Sequence, residues 1–194
     1  MSSKTSTTNS NYLSIHIVSS YIELFSIIFK KISNYYIIIC ITKEKRMLNV
    51  YLSGEIHTDW RDEIIGQCKQ EGLDINFTSP VTNHELSDNC GVEILGAEEN
   101  NFWKDNKGAN INSIRTKKSI EGSDVVIVKF GEKYKQWNAA FDAGYASALN
   151  KSIIVIHSDD HQHPLKEVDA AACAVTKDQN QAVKILKYIL EGTL

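Results

Sequence analysis

The chain carries no surplus of positive charge. Its 21 Lys and Arg face 24 Asp and Glu, for a formal net charge of −3. Gripping a nucleic acid polymer needs a basic face, so that partner is excluded, while a single nucleoside or nucleotide stays admissible as a ligand. Cysteine is sparse and scattered. Cys40, Cys68, Cys90 and Cys173 form no Cys-x-x-Cys pair, which argues against a disulfide framework or a zinc knuckle and for a reducing, cytoplasmic location. The sequence has no Gly-x-Gly-x-x-Gly and no Walker loop, so a dinucleotide or triphosphate cradle is unsupported. Internal repeats and a Pro/Gly-rich linker are missing too. What remains is 194 residues with 42% hydrophobic and 23% charged content, enough for one soluble domain with a sizeable core plus an extension.

Residues 1–46 are that extension. Met1 to Asn11 is almost all Ser, Thr, Asn and Lys, and Tyr12 to Thr42 is rich in Ile, Ser and Tyr. The polar leader and broken apolar region match a secretory signal peptide poorly. Tyr12 to Phe29 approaches the length of a membrane helix but contains His16 and Glu23, whereas spanning needs about 20 predominantly apolar residues. Three readings fit: Met47 is the natural start and the front a gene-model artefact or leader; the segment is a membrane anchor or targeting signal; or it packs as a subdomain.

From Met47 onward strands and helices alternate. Leu48 to Ser53 reads as a strand, then His57 to Glu71 as a helix with Trp60, Ile64, Ile65 and Cys68 at helical spacing. Asp59 is placed to cap that helix and Gly72 to end it. Ile75 to Ser79 is a second strand. Thr82 to Lys107 is expected to be a long polar loop with a short helix near Gly91 to Leu95; Ala109 to Glu121 follows as a helix. Strands over Val125 to Phe130, Ser152 to His157 and Ala172 to Thr176 alternate with helices over Asn138 to Leu149, Pro164 to Ala170 and Gln179 to Glu191. This order predicts an α/β fold: a flavodoxin-like three-layer sandwich around a five-stranded parallel sheet ordered 2-1-3-4-5. Ligands bind beyond the carboxyl ends of such strands. The segments after strands 1, 3 and 4 are therefore expected to converge.

Several residues there suit chemistry. Asp142 sits in a helix of small residues, one turn in if Asn138 is the N-cap. A carboxylate so placed is held as an anion by the helix start, as a nucleophile must be, or it is an ordinary first-turn acid. Trp137 and Tyr134 flank the preceding loop and are shaped to stack on a base or sugar, or to pack the loop. Asn138 binds a ligand hydroxyl or caps the helix. Gly54 permits a tight turn or a close approach. His57, with Glu55 beside it, is a candidate acid–base. Ser87-Asp88-Asn89 either reaches the site or caps a short helix. His157, His161 and His163 resemble a metal cluster, but a loop splays such residues, and no metal or organic cofactor is expected.

These residues carry a resemblance. Tyr51 to His57, Asn83-His84 with Ser87-Asp88-Asn89, Asn112 to Thr116, and above all Phe130-Gly131-Glu132-Lys133-Tyr134-Lys135-Gln136-Trp137-Asn138 with Asp142 resemble the YtoQ family. The likeness covers 47–194 and leaves 1–46 untouched. The family is grouped with nucleoside 2-deoxyribosyltransferase-like proteins, whose fold is flavodoxin-like. The resemblance implies an enzyme of the N-glycosidic bond, a transferase or hydrolase of nucleotide metabolism, with a non-catalytic nucleotide- or sugar-binding module as the alternative. It implies Asp142 as nucleophile, where the wider group has Glu. It implies Tyr51, Gly54 and Asn138 around the sugar, Trp137 or Trp60 on the base, and His57 or Glu55 protonating the leaving base. Arg115-Thr116 stands where an Arg-Asp pair is expected, and Gln136-Trp137-Asn138 replaces an Asp-Gly-Thr-type loop. Homo-oligomers whose neighbours complete the pocket are common in that group. Asp142 is one methylene shorter than Glu, which draws its carboxylate back by more than about an ångström in a fixed backbone.

Overall fold

The computed structural model describes residues 24–32, 47–133 and 135–193. The chain divides into two units, Met1–Arg46 and Met47–Leu194. In the first, residues 24–32 are helical and exposed; the expectations for the rest of that segment lie outside the described residues. Among the described residues no helix is long and apolar enough to cross a membrane.

The second unit is built on three apolar strands. β1 (Leu48–Gly54), β3 (Val125–Lys129) and β4 (Ser152–Ile156) are dense in Val, Ile and Leu and buried over most of their length. β-branched side chains fit a pleated surface, and runs buried on both faces mark the middle of a parallel sheet. Two short strands, β2 (Ile75–Thr78) and β5 (Ala174–Thr176), close the edges. All pairings are parallel and the order is β2-β1-β3-β4-β5, as the alternation predicts.

Each face of the sheet buries its own cluster. On one, Val50, Leu52, Ile127 and Ile154 pack with Trp60 and Ile64 of α1 (Trp60–Gln70) and Leu186 of α6 (Gln179–Glu191). On the other, Tyr51, Val126, Val128 and Val155 pack with Ile120 of α3 (Asn101–Gly122) and Ala139, Ala143 and Ala146 of α4 (Trp137–Ala148). Burying one such branched side chain contributes about 1.5–3 kcal/mol. A short helix, α5 (Lys166–Ala171), follows β4.

The stretch expected to be a loop is helical. α2 (His84–Leu95) begins at Asn83, whose side chain accepts from Leu86 N, and α3 begins at Asn100, capping Phe102 N. The two form an antiparallel hairpin. They meet through glycines: a Cβ on Gly91 would lie 2.3 Å from Gly108 N. Asn112 Nδ2 donates to Ser87 O at 3.0 Å across the same crossing. Because the backbones touch there, the contact needs no large apolar stripe. Leu86, Ile94 and Leu95 point outward instead, which hides the helical period from the sequence.

Two capping expectations change. Asp59 and Gln136 precede α1 and α4, yet neither makes a side-chain cap bond. α4 starts at Trp137, so Asn138 is inside it rather than its cap. Gly72 does close α1: it sits at φ +68°, and Leu73 N reaches back to Cys68 O.

Candidate active site

β1 delivers the floor of the site. Its last turn is pinned from below by Arg61, buried in α1, whose guanidinium donates to the carbonyls of Leu52 (3.1 Å), Gly54 (3.1 Å) and Glu55 (2.7 Å). Burial lowers the Arg61 pKa to about 10, opposed by the neighbouring Glu55 charge. Gly54 then passes at φ +116° against Lys129 of β3.

Ser53, one residue earlier, points to the opposite face. Its hydroxyl donates to Asp142 Oδ2 at 2.6 Å. Asp142 lies in the second turn of α4, beyond the reach of the helix-start effect expected for it. Burial raises its pKa above the ordinary aspartate value, and the Ser53 hydroxyl draws it part of the way back. Below it lies Tyr51, fully buried, with its phenol pushed up to about 12 by burial and then by the Asp142 charge. The Thr116 hydroxyl and then the Arg61 and Arg115 charges act the other way.

Above Asp142 opens a pocket of about 710 Å³. Gly54 and Ile56 follow β1, Pro80 and Val81 follow β2, and Trp137, Asn138 and Phe141 come from α4. The α2–α3 hairpin supplies the far wall, including His84, Asp88, Arg115 and Thr116. Asp142, Gly54, Asp88, Arg115, Trp137 and Asn138 are thus brought together.

The remaining candidates sit elsewhere. Trp60 is wholly buried and donates its indole N–H to Glu55 O at 2.9 Å, so it has no face to offer a base. Glu55 is buried with its carboxylate turned to His57 N (2.7 Å) and the Thr58 hydroxyl. That contact occupies the group assigned to proton transfer. His57 lies outside the main pocket and stacks on His84, ring centroids 5.4 Å apart. Gln136 accepts from Gly131 N at 3.2 Å and donates to Lys133 O, folding the loop rather than facing the pocket. Tyr51 lies under the floor, Asn89 is in α2 off the pocket wall, and Tyr134 is outside the described residues.

The segments after β1, β3 and β4 converge as expected, in a smaller recess beside the main pocket. His157 is tied to Asp169 (3.1 Å) and His161 to the Ser158 hydroxyl (3.2 Å). Among the described residues no group of three or more His, Cys, Asp or Glu is arranged to hold a metal ion.

Residues 51–190, which contain every part of this pocket, match the family described as nucleoside 2-deoxyribosyltransferase YtoQ. The chain belongs to the YtoQ family. A relative in that family, an uncharacterized YtoQ protein of Bacillus subtilis (strain 168), is 47% identical over 142 residues, 73% of this chain and 96% of that protein. A conserved protein from Enterococcus faecalis V583 shares the fold at 12% identity, with a TM-score of 0.52 over 74% of this chain and 99% of that one. A 2-deoxyribosyltransferase from Bacillus psychrosaccharolyticus aligns at 14% identity and a TM-score of 0.43, over 70% of this chain and 90% of that one.

Two residues of this YtoQ-family site escaped sequence reasoning. Ser53 reads only as a strand residue, since nothing in the sequence pairs it with a position 89 residues away. Arg61 belongs to no motif singled out in the sequence. Ser53 carries a prediction. Loss of its hydroxyl in Ser53→Ala removes what holds the Asp142 pKa down, so that pKa rises further. The Asp142 carboxyl is therefore expected to titrate at higher pH in Ser53→Ala than in wild type. Carboxyl-carbon NMR titration of both proteins checks this; an unmoved Asp142 titration rejects it.

Proposed function

We propose that the protein is an enzyme acting on the N-glycosidic bond of a nucleoside or nucleotide, with Asp142 as nucleophile and 47–194 as the catalytic unit. The observation that carries the reading is the Asp142 carboxylate: half-buried, held by Ser53 at 2.6 Å, and placed against a pocket large enough for a nucleoside. Family membership supports the same substrate class.

In this reading an Asp142 oxygen attacks the anomeric carbon. The bond from that carbon to the base nitrogen breaks, and its electron pair leaves with the base, which takes a proton from the pocket wall. His84 and Asp88 line that wall, and they take the role expected of His57 and Glu55. A glycosyl ester on Asp142 results. Water, or a second base, then attacks the same carbon and frees the carboxylate, so the configuration is retained overall. Trp137 offers an indole face to the base, and Asn138 and Arg115 offer donors to sugar hydroxyls. The raised Asp142 pKa fits a desolvated nucleophile.

The test is a chromatographic time course of free base release from a panel of nucleosides, deoxynucleosides and monophosphates, with and without an acceptor base. Release from at least one substrate is expected. Dependence on the acceptor separates transfer from hydrolysis. No release anywhere, with ligands that raise the melting temperature, would leave a binding module on the same fold.

A further inference from the structure

The Asp142 pocket does not end at its own rim. A recess of about 330 Å³ shares Gly54, Ile56, His84 and Asn138 with it and adds His57 and Lys135. A third recess, of about 280 Å³, shares Glu55 and His57 with the second and adds Lys129, Lys133 and Lys177. Together they form one groove over the carboxyl ends of β1, β3 and β4. The first part is apolar and mixed; its continuation carries four lysines and three histidines, His57, His84 and His157.

Three acids stand beside that continuation, and one of them holds a lysine of the groove. Glu55 is turned to His57 N and the Thr58 hydroxyl. Glu132 is two-thirds exposed and lies 3.8 Å from His161. Asp159 pairs with Lys177 at 2.9 Å. Lys129 is the informative residue. It is half-buried at the end of β3, its carbonyl accepting from Glu55 N. Among the described residues its ammonium makes no hydrogen bond and no ion pair, and it lies 6.0 Å from the Trp60 ring centroid. An anion in the groove would give that ammonium a partner, and lysine serves as a point charge for phosphate.

We infer that this groove holds the phosphates of a nucleotide whose nucleoside lies in the Asp142 pocket, with Lys135, His57 and His84 along the proximal phosphate and Lys129, Lys133 and Lys177 around a distal one. The ligand class is a nucleoside 5′-diphosphate or a nucleotide bearing a second anionic group at that position. The inference rests on the glycosidic reading for the position of the nucleoside, and not for the anion site itself.

The probe is inorganic pyrophosphate, titrated calorimetrically at low ionic strength into the full chain, with inorganic phosphate beside it. Wild type and Asp142→Asn are expected to bind pyrophosphate alike, and more tightly than phosphate. Lys129→Met keeps the packing of the stem over Trp60 and removes only the charge; it is expected to weaken pyrophosphate by about tenfold or more. Lys133→Met, at an exposed loop position, is the second variant and is expected to weaken it less. Nucleoside binding is expected to stay within about twofold in both. The inference falls if wild type ignores pyrophosphate, or if a folded Lys129→Met binds it as wild type does. Pyrophosphate binding through Lys129 without base release from any substrate would keep the groove and reject the nucleophile. Base release without pyrophosphate binding would do the reverse.

Discussion

Asp142→Asn is expected to abolish base release, by about a thousandfold or more, and at the same time to raise the melting temperature at neutral pH. The first effect follows from the role: a chain that has lost its nucleophile keeps only binding and positioning. The second follows from burial. The Asp142 pKa stands above its ordinary value because the site desolvates the anion. Between the unfolded and folded pKa values the folded state therefore holds more protons, and stability falls as the pH rises through that window. Above it the anion is a net burden on the fold. Asn keeps an oxygen for the Ser53 hydroxyl and carries no charge. Its stabilising effect is expected to be fully present above the folded pKa of Asp142 and to fade toward acid. Base release and thermal melts across pH check both halves. Retained activity would reject Asp142 as nucleophile, and a lowered melting temperature at neutral pH would reject the desolvation argument.

Gly54→Ala is expected to be the most damaging single substitution at the site for stability, at roughly 3 kcal/mol or more. Two independent costs add. The residue sits at φ +116°, which side chains with a Cβ rarely adopt. The added Cβ would also stand 2.0 Å from Lys129 O and 2.7 Å from Lys129 N. Lys129 is the register partner of Gly54 in β3, and its carbonyl accepts from Glu55 N at 3.0 Å. Relief requires the carboxyl ends of β1 and β3 to part, which opens the floor beneath Asp142. Gly66→Ala is the control. Gly66 lies within α1 with open space around its added Cβ, so it is expected to gain about 0.5–1 kcal/mol from helix propensity. Urea unfolding of the two variants checks the contrast; equal midpoints would reject the clash.

The sheet was legible because its evidence is local. Val125 to Lys129 and Ile153 to Ile156 are continuous β-branched runs, and helices between them force parallel pairing. Asp142, Trp137 and Asn138 were legible as a neighbourhood for the same reason: the turn after β3 can only lie above the sheet. The α2–α3 hairpin was legible only in part. Ala109 to Glu121 reads as a helix and is the second half of α3, whereas the start of α3 and most of α2 read as loop. The two helices meet there through Gly91 and Gly108, and a glycine contact leaves no apolar period to read. The wall that α2 supplies was therefore hidden, although the family resemblance names Asp88. Trp60 reads two ways, in the apolar period of α1 and, through the resemblance, as a partner for the base; it is sealed in the core with its indole tied to the Glu55 carbonyl. Ser53 needed three dimensions, since only the pairing of β1 under α4 brings it to Asp142.

The three tryptophans divide the molecule optically. Trp60 is sealed in the core, while Trp103 and Trp137 are 55% and 74% exposed. Emission from Trp60 therefore belongs to a dry environment, and the other two emit from water. Of the exposed pair, Trp137 stands at the mouth of the Asp142 pocket and Trp103 lies outside it. A soluble quencher added to the free protein reaches both. An occupant of the pocket would shield one and leave the other, so the protein carries its own unlabelled gauge of whether the site is filled.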